Sequence, residues 1–107
     1  MMAGFAWKWE TKNNKDAFDI VIEGIPKRWN STQKDWVNSA NAVNEVGCIH
    51  TVQGYDLNYG FVILGPDIYY DSNKDAVNVN GANFKDAVAK KKASDDDLQK
   101  IIVNAYY

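Results

Sequence analysis

Hydrophobic positions along the chain first alternate with polar ones and then gather into short runs. From Gly4 to Trp9, the residues Phe5, Trp7 and Trp9 fall on one side and Ala6 and Lys8 on the other, the period of two that defines a strand. Asn13 and Asn14 mark a turn. Asp19 to Glu23 (DIVIE) is a short β-branched run closed by Gly24 and Pro26, and it reads as a buried strand. Ser31 to Val43 changes period: Trp36, Ala40 and Val43 recur at helical spacing behind a Ser31 or Thr32 cap. Val46 to Val52 is another β-branched run, broken by Gly54, and Gly60 to Leu64 (GFVIL) is a third apolar strand ended by Gly65 and Pro66. Ile68 to Asn80 reads as a hairpin or irregular extension with turn residues at Asp71 to Asn73. Two helices follow. One starts at Asn83 and runs through about Lys92, with Phe84 and Val88 together. The other opens with a capping-box-like Ser94 and Asp97 and puts Leu98, Ile101, Ile102 and Ala105 on one face. Strands this short and apolar belong to sheets covered on both faces, so the pattern predicts an α/β fold with a small mixed or parallel sheet flanked by helices.

Composition supports a packed core. Of the 107 residues, 46% are hydrophobic and 13% aromatic, including four Trp, too apolar a mixture for a disordered chain. The formal net charge of −2 and pI near 5.2 provide no overall basic surplus, and the Lys90 to Lys92 run is balanced at once by Asp95 to Asp97. Any polyanion bound here must therefore meet a local patch or rely on chain elsewhere. A single cysteine, Cys48, excludes an internal disulfide and a thiolate zinc cluster, which fits a reducing cytoplasm. No apolar run is long enough for a helix to span a bilayer, and MMAGFAWKWE has no signal-peptide pattern, so no membrane role is expected. The chain starts strand-like near Met2 and ends in NAYY without a Gly cap or Pro. Both ends read as cut, which predicts that residues 1–107 are a single fragment of a longer protein.

The most specific stretch is Val46 to Asp67, VGCIHTVQGYDLNYGFVILGPD. It resembles the motif-V region of superfamily 1 helicases, in which a strand ends in T-x-H-x-x-Q-G-x-E and an apolar strand follows. The matching residues are Cys48, His50, Gln53, Gly54 and Asp56. More narrowly, AGFAWKW, RWN, the block from Cys48 to Asp67 and the closing NAYY are similar to the Schlafen-group-3-like DNA/RNA helicase domain, in order over almost the whole chain. That resemblance implies a partial RecA-like, three-layer fold, the second motor domain of a P-loop NTPase. It also implies that the loop couples nucleotide to nucleic acid. His50 and Thr51 would face DNA or RNA, Gln53 and Gly54 would respond to the nucleotide, and Asp56 would accept from a ribose hydroxyl. Two positions depart from the pattern. Cys48 stands where the helicase motif has Thr, so that hydroxyl is absent, and Asp56 is one methylene shorter than the usual Glu. Thr51 offers a hydroxyl instead.

The residues agree with such a role. Ligands of open α/β sheets bind beyond the carboxyl ends of strands. A His and a Gln at a strand end, followed by a Gly that permits close backbone approach, present donors to phosphate or base. What the sequence lacks limits the chemistry. It has no G-x-x-x-x-G-K-[ST] to cradle phosphates, and the resemblance places an Arg-bearing motif beyond NAYY. Catalysis, and any binding of ATP and Mg, are therefore expected in the parent protein, with no cofactor held by this chain alone. Expected partners are DNA or RNA, the remainder of the parent chain, and copies of the same chain meeting through apolar surfaces.

Plainer readings stand beside these. A lone His in a β-branched run is more often a hydrogen-bonded structural residue, although the Q-G-x-D context favours binding. Cys48 reads as a small buried hydrophobe. The four Trp read as core rather than as stacking platforms. Asp56, Asp67 and Asp71 carry a weak Mg²⁺-nuclease pattern, but a carboxylate in a G-P-D turn is ordinarily a turn former. The competing function is a non-catalytic binding or regulatory module built on a helicase-like scaffold.

Overall fold

The computed structural model describes residues 1–92 and 94–106; Ala93 and Tyr107, the last residue of NAYY, lie outside them. Its centre is a parallel sheet of three strands in the order β4-β1-β5, formed by β1 (Met2–Ala3), β4 (Gly47–Cys48) and β5 (Val62–Ile63). Met2 pairs with Gly47 on one side and Val62 on the other, and Ala3 with Cys48 and Ile63. A parallel bridge between Trp29 and Val46 extends the ladder beside β4. Two antiparallel hairpins stand apart from this sheet: β2 (Ile20–Ile22) with β3 (Ile25–Lys27), and β6 (Ile68–Asp71) with β7 (Ala76–Val79). The first turns through Glu23 and Gly24, both at positive φ, the two-residue loop whose twist suits tightly paired strands. Among the described residues the α-helices are α1 (Ile49–Val52), α2 (Ala87–Lys92) and α3 (Asp95–Tyr106), with short 3₁₀ turns elsewhere.

The protein is thus a small α/β domain with a parallel sheet and helices. The β-branched runs form the paired segments, but the pairing is much shorter than the runs. The strand expected from Gly4 to Trp9 does not form; β1 ends at Ala3. Gly4 is buried beneath the Tyr106 ring, and the backbone bends there, Ala6 N–H donating to Gly4 C=O at 2.9 Å. Phe5, Trp7 and Trp9 still reach one cluster, against Ala3, Ile20, Trp29, Val46 and Cys48. Burying each large side chain of this set contributes about 1.5–3 kcal/mol.

The helix expected from Ser31 to Val43 does not form; only a 3₁₀ turn at Trp36–Asn38 appears. Its polar groups are bonded elsewhere. Glu45 Oε2 accepts from Ser31 N–H at 3.0 Å and from the Trp36 indole at 2.8 Å, and Asn30 Nδ2 donates to Thr32 C=O at 2.9 Å. Asp35 adopts a left-handed φ of 53°, which interrupts any helix, and the segment is rich in Ser, Asn and Asp, whose side chains compete with helical bonds. The run from Val46 to Val52 is likewise divided: β4 covers only Gly47–Cys48, and α1 follows with no intervening loop.

α2 begins at Ala87 rather than Asn83 because Asp86 is its cap, Oδ1 accepting from Val88 N–H at 3.0 Å and Ala89 N–H at 3.1 Å. Phe84 is buried while Val88 is exposed, so the two do not pair. In α3 the expected face holds in part: Leu98 and Ile102 pack with Phe84 in a second core, with Phe5, Val79, Ala89 and Tyr106 against it, while Ile101 is exposed. The Ser94 to Asp97 box is half-formed. Ser94 Oγ accepts from Asp97 N–H at 3.4 Å, but its hydroxyl donates to the Asp97 carboxylate at 2.9 Å. Phe5 touches both cores and so links the sheet to the helical end.

Candidate functional site

The predicted site starts where β4 stops. Gly47 permits this because the Trp36 ring and Val52 side chain press against its α-carbon; a Cβ there would lie 2.7 Å from Val52 Cγ1 and closer still to the indole. Asn30, 3% exposed, braces the strand end from the side, its Oδ1 accepting from Cys48 N–H at 2.9 Å. Its Nδ2 also reaches Thr51 Oγ1 at 3.3 Å, so one buried amide ties RWN to the start of α1. The chain leaves α1 through Gln53 and Gly54, the latter at φ +85°, a conformation that favours glycine.

His50, Gln53, Gly54 and Asp56 are all exposed and Thr51 is half-buried. His50 keeps 55% of its side chain exposed, its Nε2 3.3 Å from Asp86 Oδ2. Its ring lies 6.4 Å from that of Phe5. His50 and Thr51 share an open cleft of ≈ 360 Å³ with Phe5, Trp9, Lys12, Gln33 and Cys48. Gln53, Gly54 and Asp56 are not part of that lining and project from the loop beyond α1. The structure therefore separates the two groups of predicted residues. Cys48 is 2% exposed, and burial pushes its thiol above the ordinary range, as expected of a packed hydrophobe.

Three polar side chains that sequence reasoning did not single out organise the neighbourhood. Asp19, almost wholly buried, accepts from Thr11 N–H at 2.8 Å, Thr11 Oγ1 at 2.7 Å and Trp29 N–H at 2.8 Å. Glu45 and Asn30 act on the next segment as described above. Each sits next to an aromatic or apolar run, which was the available signal, but only tertiary pairing gives each its donors. Asp86 was missed in the same way, and it both caps α2 and faces His50.

The three carboxylates of the nuclease pattern have separate engagements. Asp67 is fully buried, Oδ1 accepting from the Tyr106 hydroxyl at 2.9 Å, while Tyr106 itself accepts from Gly65 N–H at 3.3 Å. Asp71 bonds Asn73 N–H at 3.0 Å and Asn78 Nδ2 at 3.4 Å within its hairpin, and Asp56 is exposed on the loop. Among the described residues no three of His, Cys, Asp and Glu are grouped to hold a metal ion. Burial raises the Asp67 carboxyl above the usual carboxylate range, and burial together with Asp67 raises the Tyr106 phenol. Among the described residues no helix is long and apolar enough to cross a membrane.

Fold and site together define a small α/β domain with a polar loop at the carboxyl edge of a parallel sheet. The chain belongs to the family described as Schlafen group 3, DNA/RNA helicase domain, whose model it matches over residues 1–107. It is also 39% identical over 102 residues to a Saccharomyces cerevisiae protein described as "Uncharacterized protein YPL245W", a match covering 87% of this chain. The chain spans 22% of the length of that relative. No solved structure matches it.

Proposed function

We propose that this domain is part of an ATP-dependent DNA or RNA helicase or translocase, in which it supplies the motif-V-like loop that couples nucleotide to nucleic acid. The reading rests on one arrangement: β4 ends at Cys48 on the carboxyl edge of the parallel sheet, and α1 and the Gln53–Gly54 loop continue directly into solvent. The partial RecA-like, P-loop-superfamily architecture is part of this proposal, supported by the parallel order β4-β1-β5 and by the family to which the chain belongs. His50 and Thr51 face the strand, where an imidazole and a hydroxyl hydrogen-bond phosphate or base edges. Gln53, Gly54 and Asp56 face the nucleotide.

These residues suit one side of a nucleotide and no more. Asp56 offers acceptors to a ribose hydroxyl, and the Gln53 amide offers both donors and acceptors. The loop presents one carboxylate and no lysine within Val52 to Asp56, so ATP and Mg are assigned to a site built by other parts of a longer protein. When bound there, ATP would supply the free energy for movement; this chain's residues would orient the sugar and transmit its presence to α1. The buried free thiol of Cys48 supports placing this work in a reducing compartment such as the cytoplasm.

The 107-residue chain should release no phosphate from ATP above the buffer rate and should bind single-stranded nucleic acid weakly, and more weakly still after His50→Ala. Robust turnover that disappears with Asp56→Ala would overturn the assignment of chemistry to other parts of the protein.

A further inference from the structure

A second cleft, ≈ 420 Å³, opens next to the one that holds His50 and Thr51. Trp9, Lys12 and Gln33 line both, so the two form one groove divided by the Trp9–Lys12 pair. Each half falls within the range of small-ligand sites, roughly 300–1,000 Å³. The new half adds Lys15 and Arg28 at its sides and Trp29, Asn30 and Glu45 to its lining. A chain with a net charge of −2 thus gathers three cations around one concavity.

These cations are available. Among the described residues the ion pairs are Lys8 with Glu10 and the His50–Asp86 contact, so neither Lys12 nor Lys15 is paired with a carboxylate. Lys12 rests on the Trp9 ring, Nζ 4.5 Å from its centroid. Arg28 is fixed by Nε donating to Ala17 C=O at 2.9 Å and by its guanidinium lying 4.2 Å over Phe18. Three acids lie near the groove, but their charge is partly compensated: Asp19 accepts three hydrogen bonds, Glu45 Oε2 accepts two, and Asp86 caps α2 and faces His50. Trp29 lines the same cleft. It is 1% exposed and its Nε1 has no hydrogen-bond partner.

We propose that this groove is a binding track for single-stranded nucleic acid, running from His50 and Thr51 past Trp9 to Lys15 and Arg28. This rests on the coupling role proposed above and extends it to residues outside the motif-V-like loop. Lys12 and Lys15 bind successive phosphates. When Lys12 moves from the Trp9 ring onto a phosphate, it uncovers an aromatic face for a base. Glu45 accepts from a base N–H, which in thymine is N3–H. A duplex, with its bases stacked inside, presents no face to Trp9, so the groove selects unpaired strand.

Anisotropy of a short fluorescein-labelled oligothymidylate, titrated with the 107-residue chain at a series of salt concentrations, tests the track. Lys12→Glu and Lys15→Glu should each lower affinity by about tenfold, and each should flatten the log–log salt slope by ~0.7. Lys74→Glu, in the β6–β7 turn, changes net charge equally and should leave both unchanged. Circular dichroism of every variant should match the parent. Equal loss in Lys74→Glu would reduce the binding to net charge and overturn the track. Binding that falls with His50→Ala but ignores Lys12→Glu and Lys15→Glu would sink the track while leaving the loop assignment intact. No binding at any salt would end both.

Discussion

Gly47 shows how much a single residue decides. It lies in β4, fully covered by Trp36 and Val52, and the sheet can approach α1 only because the position carries no side chain. Gly47→Ala should therefore destabilise the domain by about 1–3 kcal/mol through overpacking, read as a lower urea midpoint with an unchanged slope. An unaltered midpoint would mean that the Trp36 ring moves aside freely. Asn30 acts at the same scale: its three hydrogen bonds hold Cys48, Thr32 and Thr51 in one place, so the exposed face of α1 starts from a fixed point. Little of this was legible in the chain. RWN identifies Asn30 as part of a recognisable motif, but its spatial partners lie 18 and 21 positions away.

Among elements, the weakest is the parallel sheet, whose strands hold two residues each. β5 is an edge strand, and its surroundings are apolar and open: Tyr59, Phe61, Val62 and Leu64 are exposed, Tyr59 to 89%. Such an edge is a template for a further strand. The isolated chain should associate with rising concentration in sedimentation experiments, and Phe61→Lys with Leu64→Lys should return it to monomer. Association unchanged by that pair would locate the contact elsewhere. The apolar runs were visible as strands only in part, since Gly4 to Trp9 forms none and Ile49 to Val52 is helical, and the absence of a helix between Ser31 and Val43 was not visible at all. Periodicity registers where Trp36, Ala40 and Val43 fall, but it does not register that Glu45 binds the backbone and indole of that segment.

At the scale of the whole molecule, Asp67 and Tyr106 join the strand region to the end of α3 across 39 positions of sequence. The radius of gyration, 14.3 Å, is slightly above the roughly 13 Å usual for a compact chain of this length. Because burial raises the Asp67 carboxyl, the folded state binds that proton more tightly than the unfolded state does. Stability from this group is complete below its unfolded range and falls as pH climbs from there through the raised folded value. Asp67→Asn keeps an acceptor for Tyr106 and removes the titration. The stability of the wild type minus that of the variant, from urea unfolding, should decline as pH rises above the usual carboxylate range. A difference that is flat, or that grows with pH, would show that Asp67 ionises without penalty.

From sequence alone, the chain determined its class: β-branched runs and a helical face at Leu98, Ile101 and Ile102 require an α/β core, and CIHTVQGYD carries the family signature into an exposed turn. Those are local properties, set by side-chain shape and spacing. Only the tertiary structure decided where β4 yields to α1, which acids would be saturated by donors, and that Trp9, Lys12 and Arg28 would surround a cleft beside His50. Such features come from residues far apart in the chain. Their energies exist only after burial removes water and offers each polar group a particular partner.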